Sequence, residues 1–382
     1  MSHLYLDYNA TTPLAPSVQE AMQPFLMDHY GNPSSDHALG QHCQVAVEQA
    51  REQIATLLGA QPAEIVFTSG GTESNNLALK GVMCSDSPTG SGHLIISSLE
   101  HPAIVAPANY LDRCGCELSV VNCNDAGVVT PEAVDQLIRP ETRLVSVMHA
   151  NNEIGTIQPI AEIAQVCRER GVLLHTDAAQ SIGKIPTHVD ELAVDLLTIA
   201  GHKLYAPKGV GVLYVRDGVQ LEPFMHGASH EAGRRAGTEN VAYLVGLGQA
   251  AVLASNDLIG LQSRLGNLRD LLWEQLAAGI GGGLTANGAA AHRLPNTLSV
   301  NFPEVIGSEL LAMVPQLCAS TGAACHSGET TVSSTLAAIG LPAEIARGTV
   351  RLSLGRGTSE QDVTQAAQWL VAAWQQLQAT GS

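Results

Sequence analysis

Lys203 stands between two apolar runs, in a place where its amine could react with an aldehyde. The run LLTIA precedes it and the run VGVLYV follows it, with a small polar island, Gly201-His202, directly before the lysine. Long charged side chains are rarely buried unless the charged group has a partner. A poorly solvated site lowers the pKa of a lysine, and the neutral amine is then a nucleophile that forms Schiff bases. The sequence therefore presents Lys203 as a candidate Schiff-base lysine.

The segment GGTES, which begins at Gly70, has the composition of a phosphate-binding turn. Two glycines, a hydroxyl and an acid open a predicted helix. The backbone N–H groups of Gly71 and its neighbours could bind a phosphate, to which Thr72 would add a hydroxyl. A tight turn with a helix N-cap explains the same residues equally well. The motif G-x-x-x-x-G-K-[ST] is not matched, which disfavours a nucleoside triphosphate.

Four further polar residues follow predicted strands. Asp177 ends an apolar run, where an unpaired carboxylate is costly to bury and a protonated pyridine nitrogen would be a suitable partner. An ordinary turn is the alternative for this aspartate. His101 could stack on a flat ring and transfer protons, or be structural. Asn152 and Gln180 could hydrogen-bond a ring hydroxyl or merely connect loops. Combined with Lys203 and the phosphate turn, these residues predict pyridoxal phosphate.

The elements that must position these residues alternate between strand and helix through the middle of the chain. Apolar runs such as EIVFTS, HLIISS, TRLVSVMHA, GVLLHTDAA and LLTIAG are separated by segments of helical periodicity. This pattern predicts an α/β fold with a mainly parallel sheet covered by helices on both faces. In such sheets ligands bind beyond the carboxyl ends of the strands, which is where the candidate residues fall.

The pattern changes after about residue 240, where a long helical region leads into a Gly- and Ala-rich stretch. Strands and helices of a smaller α+β unit follow. We predict a large domain over residues 16–255 and a small domain formed by residues 1–15 and 256–382. A chain of 382 residues is long enough for two domains.

The composition disfavours several classes of protein. Hydrophobic residues make up 45% and charged residues 14% of the chain, which is typical of a compact globular protein. No apolar run approaches the roughly 18 residues of a membrane span, and the start lacks the pattern of a signal peptide. We therefore expect no membrane association and a cytoplasmic location. The net charge of −17 without a Lys/Arg cluster disfavours direct nucleic-acid binding.

The cysteines do not indicate a metal site. Eight are scattered along the chain, and we expect most of them to be reduced and buried. Cys114 and Cys116 form a C-x-C pair, but no second pair at ligand spacing accompanies it. We therefore expect no metal.

A set of motifs resembles the cysteine desulfurase and selenocysteine lyase family, whose members are fold-type-I pyridoxal-phosphate enzymes of aminotransferase class V. The motifs occur in family order from about residue 4 to residue 370. They are LDYNATTP, FTSGGTESNN, LEH, HANNEIG, HTDAAQSIGK, GHKLYAPKGVG, RAGTEN, GAACHSG and RLSLGR. The resemblance implies a seven-stranded, mainly parallel sheet in the large domain, a smaller α+β domain and a homodimer.

The resemblance also implies which residues bind the cofactor. Lys203 would carry pyridoxal phosphate and remove the Cα proton of the substrate, and Asp177 would face the pyridine nitrogen. Gln180 would reach the ring hydroxyl, and His101 would stack over the ring as a catalytic residue. The phosphate would be bound by Gly71, Thr72 and His202 of one subunit and by the partner subunit's Thr238.

The substrate side of the site would contain Asn152, Arg356 and Cys325. Asn152 would line both cofactor and substrate, and Arg356 would bind the substrate carboxylate as a bidentate fork. The segment GAACHSG is rich in small residues, which suits the accessible thiolate of Cys325 that would attack the substrate sulfur. The implied reaction converts L-cysteine to L-alanine and leaves a persulfide on Cys325. A sulfur-acceptor protein, for iron–sulfur clusters or thiolation, would receive this sulfur.

Three positions depart from the family pattern. Ala200 replaces a serine that usually binds phosphate, Ala228 interrupts a Gly-rich run, and Val332 replaces a proline after the cysteine loop. GAACHSG and the apolar Ala200 look closer to selenocysteine lyases. The alternative substrate is therefore L-selenocysteine, which would give alanine and selenide.

Other hypotheses stay open at this point. An aminotransfer or β-elimination reaction would use the same cofactor without Cys325. A metal enzyme could use His226 and His230, although Gly227 disfavours a helix that would bring them together. A non-catalytic scaffold could keep the fold, but the presence of Lys203 and Cys325 argues against that.

Overall fold

The computed structural model describes residues 3–85, 91–321, 323–326 and 329–380, and for residues 323–326, 329–331 and 380 it describes the backbone only. The strands are β1 (Leu4–Tyr5), β2 (Ile65–Thr68), β3 (His93–Ser97), β4 (Glu117–Val121), β5 (Thr142–Ser146), β6 (Leu173–Asp177), β7 (Leu196–Ala200), β8 (Gly211–Val215), β9 (Thr285–Ala286), β10 (Thr297–Asn301), β11 (Leu317–Cys318), β12 (Ser320–Thr321), β13 (Ala323–His326), β14 (Glu329–Val332) and β15 (Thr349–Ser353).

Helices cover about half of the remaining described residues. They are α1 (Pro16–Met27), α2 (Ala38–Leu58), α3 (Gly71–Met83), α4 (Pro102–Arg113), α5 (Pro131–Asp135), α6 (Ile160–Glu169), α7 (Val189–Leu192), α8 (Val241–Ser255), α9 (Leu258–Ile280), α10 (Gly307–Ala312), α11 (Ser334–Ala338), α12 (Ala343–Ala346) and α13 (Glu360–Thr380). Short 3₁₀ turns add Pro62–Glu64, Gly201–Lys203 and Glu231–Gly233.

The central sheet confirms the predicted fold class. Its seven strands have the order β2-β8-β7-β6-β5-β3-β4. Strands β3 to β7 pair in parallel, whereas β8 is antiparallel to both β7 and β2. Every residue of β2, β3, β7 and β8 is buried, as expected for strands covered by helices on both faces. This explains why these strands are continuous apolar runs in the sequence.

A second, antiparallel sheet of order β12-β15-β10-β9 lies in the C-terminal part of the chain. Helices α9 and α13 pack on it through a separate hydrophobic cluster, which includes Leu272, Leu352 and Leu370. The N-terminal Leu6 belongs to the same cluster, and β1 pairs with β11. These contacts group the first residues with the C-terminal part, although the proposed boundaries at residues 15 and 255 stay predictions.

The long helical region expected after about residue 240 is two helices in the structure. Helix α8 ends at Ser255 and α9 begins at Leu258, and the two axes are bent by 73°. The break falls on Ser255, Asn256 and Asp257, whose short polar side chains compete for backbone hydrogen bonds and disfavour helix interiors. Within the part of the chain that the structure describes, no single helix is long and apolar enough to cross a membrane, and only this bent pair meets that criterion jointly.

Candidate active site

A cavity of about 400 Å³ opens at the carboxyl ends of the parallel strands. Residues that follow several strands line it, as the topology of an open α/β sheet predicts. Among them are Thr72 after β2, His101 after β3, Asn152 after β5, Asp177 at the end of β6 and Lys203 after β7. The structure therefore brings these five predicted site residues into one cavity, and the predicted residues Gly71 and His202 line it as well.

The Lys203 side chain enters this cavity from a 3₁₀ turn that directly follows β7. Burial lowers the pKa of its amine below the ordinary value of lysine. The Asp177 carboxylate acts in the opposite direction, and the Arg351 guanidinium lowers the pKa further. The amine is consequently neutral at a lower pH than a surface lysine, which is the form that attacks an aldehyde.

Asp177 lines the cavity and is held in place by two hydrogen-bond donors. Its Oδ2 accepts a hydrogen bond of 2.8 Å from Asn75 Nδ2, and its Oδ1 accepts one of 2.9 Å from the Ala179 backbone N–H. The residue is only 7% exposed, so its orientation is well defined. Asn75 also lines the cavity, and the sequence did not single it out, although it lies within the motif FTSGGTESNN. A carboxylate fixed in this way suits a protonated ring nitrogen.

The N-terminus of α3 forms an anion-binding end of the same cavity. Helix α3 begins at Gly71, and the first N–H groups of a helix have no partner within it, so they favour a phosphate together with the helix dipole. A Cβ added at Gly71 would lie 3.1 Å from the Ala200 Cβ, so the turn passes close to the end of β7. With a buried amine, a fixed carboxylate and an anion-binding helix end in one cavity, the residues fit pyridoxal phosphate.

Two histidines border the cavity as neutral imidazoles. His101 caps α4, and its Nδ1 accepts a hydrogen bond of 3.1 Å from the Ala103 backbone N–H. Nε2 is therefore the atom that carries the proton in the neutral ring. Burial and the nearby Lys203 lower the pKa of His101. Burial, with Lys203 and Lys208 nearby, lowers the pKa of His202 to about 4.

Arg351, and not Arg356, lines the cavity. Its guanidinium donates hydrogen bonds to the Asp7 carboxylate (2.6 Å) and to the Asn152 carbonyl (3.0 Å). Its Nε is buried and has no hydrogen-bond partner among the described residues. The sequence reasoning did not single out Arg351, which the tertiary structure places at the cavity.

The placement of Arg356 corrects the role that the resemblance implied for it. Arg356 lies after the end of β15, and its Nη2 donates a hydrogen bond of 2.9 Å to the Leu253 carbonyl near the end of α8. Its guanidinium lies 5.9 Å from the centre of the Tyr205 ring. These contacts hold the side chain away from the cavity, so its guanidinium is not placed to bind a substrate carboxylate there.

Gln180 and Thr238 are placed differently from the residues that line the cavity. Gln180 Nε2 donates to the Asn9 carbonyl at 2.9 Å, and its Oε1 accepts from Lys184 Nζ at 3.0 Å. Thr238 is exposed and borders a different cavity of about 180 Å³, near Arg235. The roles of both residues stay predictions, and an exposed Thr238 is compatible with a contribution to a second subunit.

Cys325 lies in β13, where its backbone pairs with Thr330 of β14 in an antiparallel hairpin. Its side chain, like that of His326, falls outside the described residues. The segment that contains the other candidate metal pair, His226 and His230, forms no helix. Within the described part of the chain, no group of three or more histidine, cysteine, aspartate or glutamate residues could hold a metal ion.

Glu100 is a buried acid directly before His101. Its Oε1 accepts hydrogen bonds from Ser97 Oγ at 2.6 Å and from the Met148 backbone N–H at 2.7 Å, while its Oε2 has no partner among the described residues. Burial raises the pKa of the carboxyl to about 8, against these hydrogen bonds, and the Asp177 charge adds to the effect. Glu100 is therefore protonated in the folded protein at neutral pH.

Replacing Glu100 with glutamine should flatten the pH dependence of stability. Between pH 4.5 and 8 the unfolded state loses the Glu100 proton while the folded state keeps it, so the stability of the parent falls as the pH rises. The free energy of unfolding of Glu100→Gln should therefore improve relative to the parent across this range, on the order of 4 kcal/mol. Urea unfolding at pH 5 and pH 8 measures the difference. The exposed Glu20→Gln is the control, and equal pH slopes for parent and Glu100→Gln would contradict the assignment.

Known proteins are similar to this chain over most of its length. Residues 4–365 match the family model of aminotransferase class-V. The chain is 45% identical over 362 residues to cysteine desulfurase IscS of Dictyoglomus turgidum, a match that covers 94% of this chain and 91% of the relative.

Two solved structures are also similar to it. A NifS-like protein has a TM-score of 0.89 and 35% identity, with 98% of this chain and 99% of that chain covered. The structure of SspA in complex with cysteine has a TM-score of 0.81 and 37% identity, with 92% and 98% covered. These matches confirm the resemblance, the fold-type-I architecture and pyridoxal phosphate as the cofactor. The chain belongs to the cysteine desulfurase family within aminotransferase class V.

Proposed function

We propose that the protein is a pyridoxal-phosphate-dependent cysteine desulfurase, which converts L-cysteine to L-alanine and transfers the sulfur to Cys325. The observation that carries the proposal is a single cavity that contains the low-pKa amine of Lys203 and the fixed carboxylate of Asp177, in a chain of the cysteine desulfurase family. The similar structure of SspA in complex with cysteine supports the choice of substrate.

Residues of this chain would hold the cofactor at three points. Lys203 would bind its aldehyde, Asp177 would face its ring nitrogen, and the N-terminus of α3 with Thr72 would bind its phosphate. When bound, pyridoxal phosphate supplies an electron sink for the electrons left at the substrate Cα. Asp177 favours that role because a carboxylate, kept in place by Asn75, stabilises a positive charge on the ring nitrogen.

Lys203 would also take part in proton transfer from the substrate Cα. The neutral Lys203 amine would accept the proton from the substrate Cα, and burial favours this neutral form because it lowers the pKa of the amine. The His101 ring stands at the same cavity with its Nε2 proton directed by the Nδ1 hydrogen bond from Ala103. His101 would cover the ring and limit the access of water.

The thiolate of Cys325 would attack the substrate sulfur. A new S–S bond forms on Cys325 while the bond between Cβ and sulfur breaks, and its electrons and a proton end on the carbon that becomes the methyl group of alanine. The persulfide on Cys325 then holds the sulfur at the oxidation level that a thiol acceptor can take up.

Arg351, with Asn152 beside it, would bind the substrate carboxylate. A charge-assisted hydrogen bond in a partly buried site contributes strongly to the free energy of substrate binding. Arg351→Ala should therefore raise the KM for cysteine roughly 10- to 100-fold, with a smaller change in kcat. Arg351→Lys should recover part of the loss because it keeps the charge but not the fork. Steady-state kinetics measure both constants.

Arg356→Ala is the matched control for Arg351. It removes a guanidinium five positions away whose contacts are the Leu253 carbonyl and the Tyr205 ring. We expect a lower melting temperature and a KM close to that of the parent. A large rise in KM for Arg356→Ala together with a parental KM for Arg351→Ala would reverse the assignment.

The proposed function is tested by product analysis with L-cysteine and L-selenocysteine. Equal amounts of alanine and of protein-bound persulfide are the expected products from cysteine. Pyruvate with free sulfide would indicate β-elimination instead. A rate with selenocysteine that greatly exceeds the rate with cysteine would favour the selenocysteine lyase alternative, which the motif GAACHSG and Ala200 suggest.

We further propose that the enzyme is a cytoplasmic homodimer that passes its sulfur to an acceptor protein for iron–sulfur clusters or thiolation. The exposed position of Thr238 supports a contribution to the phosphate site of a second subunit. The loop that bears Thr238 is held by two bidentate ion pairs, Glu231 with Arg51 and Arg235 with Glu73. Sedimentation of the full chain with and without cofactor tests the oligomeric state.

A further inference from the structure

The N-terminal segment from Thr12 to Ala15 lies directly against the turn that carries Lys203. The Thr12 backbone N–H donates to the His202 carbonyl at 2.9 Å, and the Ala15 N–H donates to the Tyr205 carbonyl at 3.1 Å. These two bonds join parts of the chain that are about 190 residues apart in sequence. The turn is therefore supported by a segment that belongs to neither β7 nor β8.

The Thr12 hydroxyl bridges the residues on either side of Lys203. Its Oγ1 donates a hydrogen bond of 2.9 Å to the His202 carbonyl and accepts one of 2.9 Å from the Tyr205 backbone N–H. A hydroxyl has one proton and two lone pairs, so it can make both bonds at once. Thr12 is 5% exposed, and water cannot easily replace either bond.

The backbone of this turn has an uncommon conformation that needs support. Tyr205 has a φ of +64°, in the left-handed region that bulky residues rarely adopt. Such a conformation persists only where surrounding contacts impose it. Its N–H is held by Thr12, its carbonyl by Ala15 and its hydroxyl by the Arg356 backbone N–H at 2.7 Å. The direction in which Lys203 leaves the turn depends on these contacts.

We propose that Thr12 is a positioning residue for Lys203, because its hydroxyl sets the geometry of the turn from which the reactive amine enters the cavity. Thr12 is not among the described residues that line the cavity, so it acts through the turn and not by contact with the cofactor. The proposal rests on the proposed function in one respect, namely that Lys203 binds the aldehyde of pyridoxal phosphate.

The test compares Thr12→Val, which keeps the shape and removes the hydroxyl, with Thr12→Ser, which keeps the hydroxyl. Full-length apoprotein of each is titrated with pyridoxal phosphate, and the dissociation constant is measured by the visible absorption of the adduct. In Thr12→Val the buried Tyr205 N–H loses its partner, which should disturb the turn that positions Lys203. We therefore expect this variant to bind the cofactor about tenfold more weakly. Thr12→Ser should bind it as the parent does. Thr12→Ala also removes the hydroxyl. It should show the same loss of cofactor affinity and replaces Thr12→Val in the comparison if that variant folds poorly.

Thr349→Val is the matched control. Thr349 is 1% exposed in β15, and its hydroxyl donates a hydrogen bond of 2.6 Å to Asn301 Oδ1, so its loss lowers stability without touching the turn. The pH midpoint of the visible band should shift in Thr12→Val and stay unchanged in Thr349→Val.

Three results would overturn the proposal. The first is parental cofactor affinity in both Thr12→Val and Thr12→Ala, and the second is an equal loss of affinity in Thr349→Val, which would indicate a general effect of stability. The third is the absence of any Lys203 adduct in the parent, which would overturn the proposed function at the same time. The first two results occur with a normal parent adduct, so the two failures are distinguishable.

Discussion

Replacing Lys203 with alanine is expected to abolish both the covalent attachment of pyridoxal phosphate and the turnover of cysteine. The reason is that Lys203 supplies the amine that lines the cavity together with Asp177, and the pKa of this amine is lowered chiefly by burial. Absorption spectra after addition of the cofactor measure the loss of the visible band. Reduction with borohydride followed by peptide mass mapping shows whether any other amine has reacted.

Lys184→Met is the matched control for this variant. Lys184 is also a buried lysine, only 7% exposed, and burial lowers its pKa well below the ordinary value. Its Nζ, however, is bonded to Asn9 Oδ1 and Gln180 Oε1 and does not line the cavity. We expect Lys184→Met to keep the adduct on Lys203. A visible band in Lys203→Ala, or an adduct on Lys184 in the parent, would contradict the Schiff-base role of Lys203.

The pH dependence of attachment follows from the same burial. Burial lowers the pKa of Lys203 in the folded protein, so its amine becomes neutral at a lower pH than the amine of a surface lysine, and attachment should begin at a correspondingly lower pH. The rate should rise with pH through the pKa of Lys203 and then level off. Stopped-flow absorption over a range of pH values measures this profile.

Replacing Cys325 with alanine is expected to keep the visible band and to remove all persulfide from the protein. The cofactor site is complete without the thiol, since Lys203, Asp177 and the N-terminus of α3 lie outside the β13–β14 hairpin. Without a thiolate to take the sulfur, the bond between Cβ and sulfur has no acceptor, and alanine formation from cysteine should fall by at least about 100-fold. Mass spectrometry of the protein after a single turnover measures the persulfide.

Cys318→Ser serves as the control for the loss of a thiol. Cys318 lies in β11, where its backbone pairs with Tyr5, and its side chain is partly buried. We expect persulfide formation on Cys325 to continue in this variant. Desulfuration of cysteine by Cys325→Ala at the parental rate would show that another group takes the sulfur. Selenocysteine is a less demanding substrate, because its selenol ionises more readily and its C–Se bond is weaker, so some selenium release without Cys325 is compatible with the proposal.

The fold and much of the site were accessible from local sequence patterns. The apolar runs of the middle region are strands of one sheet, and the segments of helical periodicity between them are helices such as α3 and α6. Because parallel strands end at a common edge, polar residues after separate strands could be expected to meet, as Thr72, Asp177 and Lys203 do. The bend between α8 and α9 was missed because apolar periodicity continues on both sides of it.

The choice between the two arginines of RLSLGR depended on the tertiary structure. Arg351 and Arg356 are five positions apart, and no local pattern tells which guanidinium reaches the cavity. Strand β15 runs antiparallel beside β10 and β12, and within it Arg351 reaches Asn152 and Asp7. Arg356, beyond the end of the strand, reaches the end of α8 instead.

Hydrogen-bond partners that lie far apart along the chain could not be predicted from the sequence either. Asn9 donates to the Asn152 carbonyl and Thr297 Oγ1, and its Oδ1 accepts from Lys184 and Asn296. Thr12 also comes from a distant part of the chain, and its hydroxyl bonds to His202 and Tyr205, on either side of Lys203. Periodicity and residue type report contacts between neighbours along the chain, so they identified the lysine, the acid and the phosphate turn. The side chains that hold these groups in position come from segments more than a hundred residues away, and only packing of the whole chain brings them there.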